Sequence, residues 1–177
     1  MQAPRLTNIA DLVRDVPDFP RPGIMFKDIT PMLADAAAFS ACIDALCAPW
    51  HGLGIGAVCG IESRGFIFGA AMARALNAGF VPLRKAGKLP PPIVGVDYGL
   101  EYGHDRLEIG TEALSPGERV IVVDDVLATG GTLEAGRRLV ERLGAEVVGA
   151  SVVIELSGLH GRAKWSGPAP LHALIGG

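Results

Sequence analysis

The residues that follow an apolar run at Val120–Val123 have the types and spacing of an anion-binding turn. Two carboxylates, Asp124 and Asp125, end the run, and the small, hydroxyl-rich segment Ala128–Thr132 precedes a stretch with helical periodicity. Small residues let backbone N–H groups approach a phosphate, threonine hydroxyls add donors, and a helix N-terminus adds positive potential. The segment therefore predicts a phosphate-binding turn, with the residues Ala128, Thr129, Gly130, Gly131 and Thr132.

Neither of the common glycine-rich nucleotide motifs is present in this segment. It lacks the lysine of GxxxxGK[ST], and its glycines do not have the GxGxxG spacing, so nucleoside triphosphate hydrolysis and dinucleotide binding are disfavoured. The pair Asp124 and Asp125 instead suits hydrogen bonds from sugar hydroxyls, or a hydrated Mg²⁺ ion. An ordinary strand end before a helix accounts for the two acids but not for the Ala-Thr-Gly-Gly-Thr run. The residues together indicate a site for phosphate and ribose.

Short apolar runs bounded by glycine alternate with helical stretches through most of the chain. This alternation predicts a mostly parallel sheet with helices on both faces, and such sheets bind ligands beyond the carboxyl ends of their strands. The predicted strands are Ile55–Cys59, Phe80–Leu83, Val120–Val123 and Val147–Ile154, and the predicted helices lie near Phe66–Leu76 and Leu133–Leu143.

Two further helices are predicted before the sheet begins. Apolar residues from Ile9 to Val16 repeat at helical spacing until Pro17, which predicts a short amphipathic helix. Asp35 is a candidate cap for a second helix, which carries an apolar stripe from Phe39 to Leu46. In contrast, residues 85–103 contain three consecutive prolines and several glycines with little periodicity, and this composition predicts a long functional loop.

Composition places the chain among compact globular proteins. Its 177 residues allow one domain, residues 1–177, and 49% hydrophobic with 20% charged residues exclude disorder and give no membrane span. The first residues do not resemble a signal peptide, and three cysteines without a CxxC pair favour a reducing cytoplasm. A net charge of -3 does not indicate the basic surface that nucleic-acid binding requires. The four histidines are scattered without metal-ligand spacing, so no zinc site is predicted.

The segment Val120–Thr132 resembles the phosphoribosyl-diphosphate signature of the type I phosphoribosyltransferase family. Four more motifs resemble the adenine-specific members of that family, and the resemblance runs from about Phe19 to Leu159. These motifs are Phe19–Pro31, Gly60–Phe66, Leu83–Pro90 and Leu100–Gly103.

The resemblance implies a fold, an activity and partners. The expected fold is the Rossmann-like α/β fold of the family, with a small N-terminal hood at residues 1–34 and a flexible catalytic loop at residues 85–103. The expected activity is that of a pentosyltransferase of purine salvage. It transfers 5-phosphoribosyl from 5-phosphoribosyl 1-diphosphate to adenine, with Mg²⁺, and gives AMP and diphosphate. A homodimer is expected, and Mg²⁺ is expected to be held mainly by substrate oxygens, with Asp124 and Asp125 acting through water.

The resemblance also implies a role for particular residues. The turn Ala128–Thr132 would hold the 5-phosphate, Asp124 and Asp125 would face the ribose, and Glu101 with Tyr102 would form the catalytic pair of the loop. Glu101 is the expected general acid/base at adenine N7. The residues expected to bind diphosphate are Glu62, Ser63, Arg64, Arg84, Lys85 and Lys88, with a cis peptide bond between Glu62 and Ser63.

For adenine, the resemblance implies a pocket formed by Met25, Phe26, Lys27 and Leu156. Met25 would offer its backbone N–H and C=O to the edge of the base, and Phe26 would stack on the ring. A fixed donor and acceptor pair rejects 6-oxo purines, because their reversed edge would leave buried polar groups unpaired. Some family members carry arginine at the position of Lys27, and lysine does not make the same bidentate contact.

Two alternatives remain open on the sequence alone. The phosphate signature is shared with transferases for hypoxanthine, guanine, xanthine or uracil, although Phe19–Pro31 and Leu100–Gly103 argue against them. The second alternative is a non-catalytic regulator that senses phosphoribosyl diphosphate and binds nucleic acid. Such a protein would be expected to lose Glu101 or to gain a basic face, and this sequence does neither.

Overall fold

A computed structural model describes residues 9–99 and 103–176 of the chain. The chain divides into two compact units, Met1–Ala45 and Leu46–Gly177.

The first unit contains a two-stranded antiparallel sheet, one short helix and most of a second helix. Strand β1 is Arg14–Pro17, strand β2 is Met25–Asp28, helix α1 is Thr30–Ala34 and helix α2 begins at Ala36 and ends at Cys47. The side chain of Asp35 accepts a hydrogen bond from the N–H of Ala38 at 2.9 Å, which confirms the predicted cap of α2.

The prediction of a helix that extends to Val16 is wrong. Residues 9 and 10 are helical, but the chain is extended from Arg14, and Val16 lies opposite Phe26 in the register of β1 and β2. A β-branched side chain beside an aromatic one is a favourable cross-strand pair, and an ion pair between Arg14 and Asp28 at 2.7 Å ties the strand ends together. Four apolar residues in so short a segment do not separate helix from strand.

The second unit is built on a seven-stranded sheet with the order β5-β6-β4-β3-β7-β8-β9. Strands β4, β3, β7, β8 and β9 are parallel, whereas β5 and β6 form an antiparallel hairpin at one edge. The prediction of a mostly parallel sheet is confirmed. The strands are β3 (Ala57–Ile61), β4 (Gly79–Lys85), β5 (Ile93–Gly99), β6 (His104–Gly110), β7 (Arg119–Leu127), β8 (Glu146–Glu155) and β9 (Leu171–Gly176).

One helix packs on each face of this sheet, as predicted. Helix α3 (Gly65–Leu76) approaches closely because Gly69 leaves room for the ring of Phe80 on β4. Helix α4 (Gly131–Arg142) covers the opposite face, where Gly136 lies against Leu83. Short 3₁₀ turns at Ala48–Trp50, Ser157–Leu159 and Gly161–Lys164 complete the unit.

The prediction of an irregular loop from Lys85 to Gly103 is wrong over β5. Residues 93–99 pair along their whole length with β6, up to the pair Gly99 and His104. Val96 and Tyr98 are buried while Asp97 is exposed, which is the period-two pattern of a strand with one covered face. Prolines before this segment and glycines within it hide the alternation in the sequence.

In the parts of the chain that the structure describes, the helices are all too short or too polar to cross a bilayer.

Candidate active site

The predicted site residues of the second unit collect at one edge of its sheet. Parallel strands β3, β4, β7 and β8 end at the same edge, so the segments that follow them come together there. Leu156 follows β8 directly. The other segments at this edge are Glu62–Arg64 after β3, Arg84–Lys88 at the end of β4, and Asp124–Thr132 at the end of β7.

The turn after β7 is a tight backbone structure. Gly130 caps α4 with a φ of 82°, a conformation that other residues rarely adopt. A Cβ atom at Gly130 would lie 2.2 Å from the carbonyl oxygen of Gly161, and one at Gly131 would lie 2.7 Å from that of Gly99. The first N–H groups of α4 have no intrahelical acceptor, so the turn offers donors at the positive end of a twelve-residue helix.

The two carboxylates before this turn have different surroundings. Asp125 is buried, and Nε of Arg64 lies 2.6 Å from its Oδ2. Asp124 accepts the N–H of Asp125 at 2.9 Å and lies against Gly65, the first residue of α3. Loss of hydration, followed by repulsion from Asp125, raises the pKa of Asp124 well above its usual range. The site therefore holds one carboxylate paired with arginine and one that is reluctant to ionise.

The carboxylate of Glu62 accepts hydrogen bonds from the basic side chains at the end of β4. The peptide bond from Glu62 to Ser63 is cis, as the resemblance implies. Arg84 Nε donates to Glu62 Oε2 at 3.1 Å and Lys88 Nζ donates to Oε1 at 2.5 Å, while the backbone N–H of Lys85 donates to Oε2 at 2.8 Å. Burial raises the pKa of Glu62, but these donors outweigh it and lower the pKa to about 2. Glu62 is thus a permanent anion within a cationic cluster.

The neighbours Arg84 and Lys85 point to opposite faces of the sheet, as alternation along β4 requires. Arg84 lies on the α3 face, 5.8 Å from the ring centroid of Phe66. Lys85 lies on the α4 face, where its ammonium donates to Tyr98 Oη at 2.7 Å and to the carboxylate of Asp105. Sequence reasoning missed Tyr98 and Asp105, because both lie in the stretch that it treated as irregular or left unassigned. The alternation through Val96 and Tyr98 is the signal that could have found the first of them.

Comparison with known proteins identifies the family. Residues 25–169 match the family described as phosphoribosyl transferase domain. The chain is 55% identical over 163 residues to the adenine phosphoribosyltransferase of Xanthomonas axonopodis pv. citri, an alignment that covers 92% of this chain and 88% of that protein. This chain belongs to the adenine phosphoribosyltransferase family.

Solved adenine phosphoribosyltransferases have the same fold. The crystal structure of the enzyme from Rhodothermus marinus has a TM-score of 0.93 and 50% identity, and 97% of each chain is covered. The enzyme from Saccharomyces cerevisiae, complexed with adenine and an imino-altritol bisphosphate, has a TM-score of 0.90 and 40% identity over 96% of this chain and 97% of that one. The fold and the family inferred from the sequence motifs are both confirmed.

The residues that the family resemblance assigns to adenine are divided between the two units. In the first unit, Met25, Phe26 and Lys27 lie on β2. Phe26 meets the ring of Phe19 edge to face at 5.1 Å, and Lys27 Nζ donates to Asp15 at 2.6 Å.

Leu156 is the remaining member of that set, and it belongs to the second unit. Its backbone N–H donates to the carbonyl of Leu127 at 2.9 Å, beside the turn after β7. Glu101 and Tyr102, the expected catalytic pair of adenine phosphoribosyltransferases, lie outside the described residues.

Proposed function

We propose that this chain catalyses the Mg²⁺-dependent transfer of 5-phosphoribosyl from 5-phosphoribosyl 1-diphosphate to adenine, which gives AMP and diphosphate. The observation that carries the proposal is the meeting of the Asp124–Thr132 segment with the Glu62–Arg64 turn at one edge of the sheet. A backbone turn for one phosphate and a cationic cluster for a second anion, with carboxylates near both, match a sugar that carries a phosphate and a diphosphate. The identity to adenine phosphoribosyltransferases supports adenine as the base.

In this proposal, the 5-phosphate binds to Ala128–Thr132. The turn carries no lysine or arginine, so its affinity comes from backbone N–H groups, the hydroxyls of Thr129 and Thr132, and the dipole of α4. The close approach of Gly130 to Gly161 fixes the shape of the turn. Binding therefore needs little reorganisation.

The diphosphate binds to the segment Glu62–Arg64 and to the basic side chains after β4. Arg84 and Lys88 already face a common acceptor, the carboxylate of Glu62, from two sides. An incoming diphosphate offers these cations a second acceptor and neutralises them further. That Lys85 also binds diphosphate stays a prediction. In this structure its ammonium donates to Tyr98 and Asp105.

Asp124 and Asp125 face the ribose in this account. As the bond from C1′ to the diphosphate breaks, positive charge develops on the sugar ring, and nearby carboxylates stabilise it. Arg64 holds the Asp125 carboxylate at 2.6 Å and so fixes its orientation. Burial and repulsion from Asp125 raise the pKa of Asp124, and a developing positive charge on the sugar would favour its ionised form.

Mg²⁺ fits this site as a companion of the substrate. Among residues 9–99 and 103–176, no group of three His, Cys, Asp or Glu side chains could enclose a metal ion. Mg²⁺ commonly keeps several waters and binds through one or two carboxylates together with substrate phosphates, and Asp124 and Asp125 offer such a pair. When bound, the ion would supply charge neutralisation at the diphosphate.

Adenine is read in this proposal by the backbone of β2. Strand β2 pairs with β1 in a two-stranded sheet, and the register sets Met25 opposite Pro17, which has no N–H to donate. In the proposal, the backbone N–H and C=O of Met25 meet the edge of the base at this strand. Phe26 supplies a ring for stacking, and Glu101 exchanges a proton with adenine N7 as the bond from N9 to C1′ forms.

We also propose a homodimer in a reducing cytoplasm. Cys42, Cys47 and Cys59 all lie within the described residues as buried thiols outside any disulfide. Burial raises the pKa of the Cys42 thiol to about 12 and also raises that of Cys59, so these thiols favour the protonated, unreactive form. The dimer rests on the family alone, and sedimentation or light scattering would test it.

The decisive experiment supplies the purified protein with Mg²⁺, 5-phosphoribosyl 1-diphosphate and one base at a time. The bases are adenine, hypoxanthine, guanine, xanthine and uracil, and chromatography separates the nucleotide products. The proposal expects AMP from adenine and no product from the other bases. A different monophosphate would refute the reading of Met25–Lys27, and binding of the diphosphate sugar without any product would favour a regulator.

A further inference from the structure

A closed polar triangle lies at the end of the β5–β6 hairpin. Lys85 Nζ donates to Tyr98 Oη at 2.7 Å and to the carboxylate of Asp105, and Tyr98 Oη donates to the same carboxylate at 3.2 Å. Tyr98 is buried, and the side chains of Lys85 and Asp105 retain about a third of their exposure. Each of the three groups therefore contacts both of the others.

The triangle joins three strands at one point. Tyr98 on β5 and Asp105 on β6 are direct cross-strand partners, and Lys85 is the last residue of β4. Only one further pair, Gly99 with His104, separates them from the connection of the hairpin. That connection, residues 100–103, contains Glu101 and Tyr102 in the sequence.

The same point touches the phosphate-binding turn. A Cβ atom at Gly131 would lie 2.7 Å from the carbonyl oxygen of Gly99 and 3.5 Å from the ring of Tyr98. The end of β5 therefore packs directly against the first residue of α4. Lys85 therefore ties the hairpin to β4, and the hairpin packs against the segment Ala128–Thr132. The three residues Lys85, Tyr98 and Asp105 are called the clamp.

The Lys85–Asp105 pair is half-buried and ionised. Burial lowers the pKa of Lys85, but hydrogen bonds to Asp105 and Tyr98 outweigh it and raise the pKa. Burial likewise raises the pKa of Asp105, and the donors from Lys85 and the Arg106 backbone lower it overall. Both ends of the pair are therefore charged throughout the neutral range.

We propose that Tyr98 and Asp105 are positioning residues for the transfer reaction, holding Lys85 so that both strands leading to Glu101 and Tyr102 are fixed relative to the phosphate-binding turn. The proposal rests on the proposed function for the role of Glu101. Tyr98 and Asp105 act through the residues that they position and do not touch the reacting atoms. In this proposal, the ammonium of Lys85 holds the hairpin on the α4 face, whereas the cluster proposed to bind diphosphate lies on the α3 face.

The test compares Tyr98→Phe and Asp105→Asn with the control Asp97→Asn. Tyr98→Phe removes only the hydroxyl, and Asp105→Asn removes only the charge. Asp97 is adjacent to Tyr98 but exposed, and it pairs with Arg106 at 3.3 Å on the other side of the hairpin. The proposal expects each clamp variant to lower kcat at least about tenfold, with KM for both substrates changed less than about threefold. The control should retain its kcat.

A double-mutant cycle with Glu101→Gln separates positioning from general stability. If Asp105 acts through Glu101, Asp105→Asn lowers kcat less than about twofold in the Glu101→Gln background. The proposal would be overturned if the loss of kcat in the double variant equalled the product of the losses in Asp105→Asn and Glu101→Gln. A kcat for Asp105→Asn equal to that of Asp97→Asn would also overturn it.

Hydrogen exchange of peptides from residues 93–110 provides a readout that needs no activity. Faster exchange in both clamp variants but not in Asp97→Asn is expected, and unchanged exchange would overturn the clamp. If the wild-type protein formed no AMP, the proposed function would fail while exchange still decided whether the triangle fixes the hairpin. Faster exchange with unchanged kcat would overturn the catalytic role.

Discussion

The turn after β7 and the cluster around Glu62 lie at the ends of neighbouring parallel strands, and they offer positive potential in different ways. The turn uses backbone N–H groups and is held by close glycine contacts, with no cation of its own. The cluster uses Arg84 and Lys88, which are already paired with an internal carboxylate. In the proposed function, the turn is therefore preformed for its phosphate, whereas the cluster would exchange one anionic acceptor for another. This difference suits a group that stays on the sugar and a group that leaves it.

The largest expected effect comes from a change in the turn. Gly130→Ala places a side chain at a φ of 82° and 2.2 Å from the Gly161 carbonyl, so the backbone must shift. Since a misplacement of about 1 Å can cost about 10²-fold in rate, we expect turnover to fall by at least that factor. The control is Gly158→Ala, at a glycine that precedes Gly161 in the sequence and has open space around it. Normal turnover of Gly130→Ala would show that the turn is not a rigid cradle.

A smaller effect is expected from the cluster. Arg84→Ala removes a charged donor, and hydrogen bonds to charged groups contribute about 1.5–3 kcal/mol, so KM for 5-phosphoribosyl 1-diphosphate should rise about tenfold or more. Arg74→Ala is the matched control, because Arg74 is an exposed arginine in the last turn of α3. Steady-state kinetics measures both variants. Equal KM values would remove Arg84 from the diphosphate site.

The carboxylate of Glu62 should compete with diphosphate for the basic side chains of the cluster. Glu62→Gln keeps the shape of the side chain but removes the charge that Arg84 and Lys88 now face. We expect inorganic diphosphate to bind several-fold more tightly and to inhibit more strongly as a product. The exposed residue Glu112 provides the control, as Glu112→Gln. Weaker binding to Glu62→Gln would mean that Glu62 orients the cations instead of competing for them.

The smallest effect concerns stability at low pH. The pKa of Glu62 is about 2 in the folded chain and near 4.5 when unperturbed, so the unfolded chain binds more protons between these values. The stabilisation from Glu62 is complete above about pH 4.5 and declines as pH falls toward 2. Denaturant unfolding of wild type and Glu62→Gln from pH 7 to pH 3 should show a shrinking difference in the free energy of unfolding. A constant difference would contradict the lowered pKa.

The parallel core and the turn after β7 were predictable from the sequence because their signals are local. Apolar runs bounded by glycine identify buried strands, and Asp124–Thr132 is one continuous segment. The β5 strand was not predicted, because prolines at residues 90–92 and two glycines in residues 93–99 hide its alternation. The helix predicted to extend to Val16 is wrong because a pattern was present but coincidental. Val16 has helical spacing from Ile9, yet its pairing with Phe26 makes the chain extended there.

The side-chain partners in the site depend on contacts distant in sequence. Arg84 and Lys85 read as one basic run, yet the pleat of β4 sends them to Phe66 and to Tyr98 on opposite faces. Asp105 lies twenty residues beyond Lys85, and only the register of β5, β6 and β4 brings them together. Spacing along the chain carries no information about such a pair.

The central claim is that the turn and the cluster are two halves of one site for a phosphorylated sugar diphosphate. Calorimetric titration of ribose 5-phosphate and of inorganic diphosphate, separately and with Mg²⁺, tests it on wild type, Gly130→Ala and Arg84→Ala. The account predicts that Gly130→Ala weakens only ribose 5-phosphate and that Arg84→Ala weakens only diphosphate. If either variant weakened both ligands equally, or if wild type bound neither, the division of the site would be contradicted.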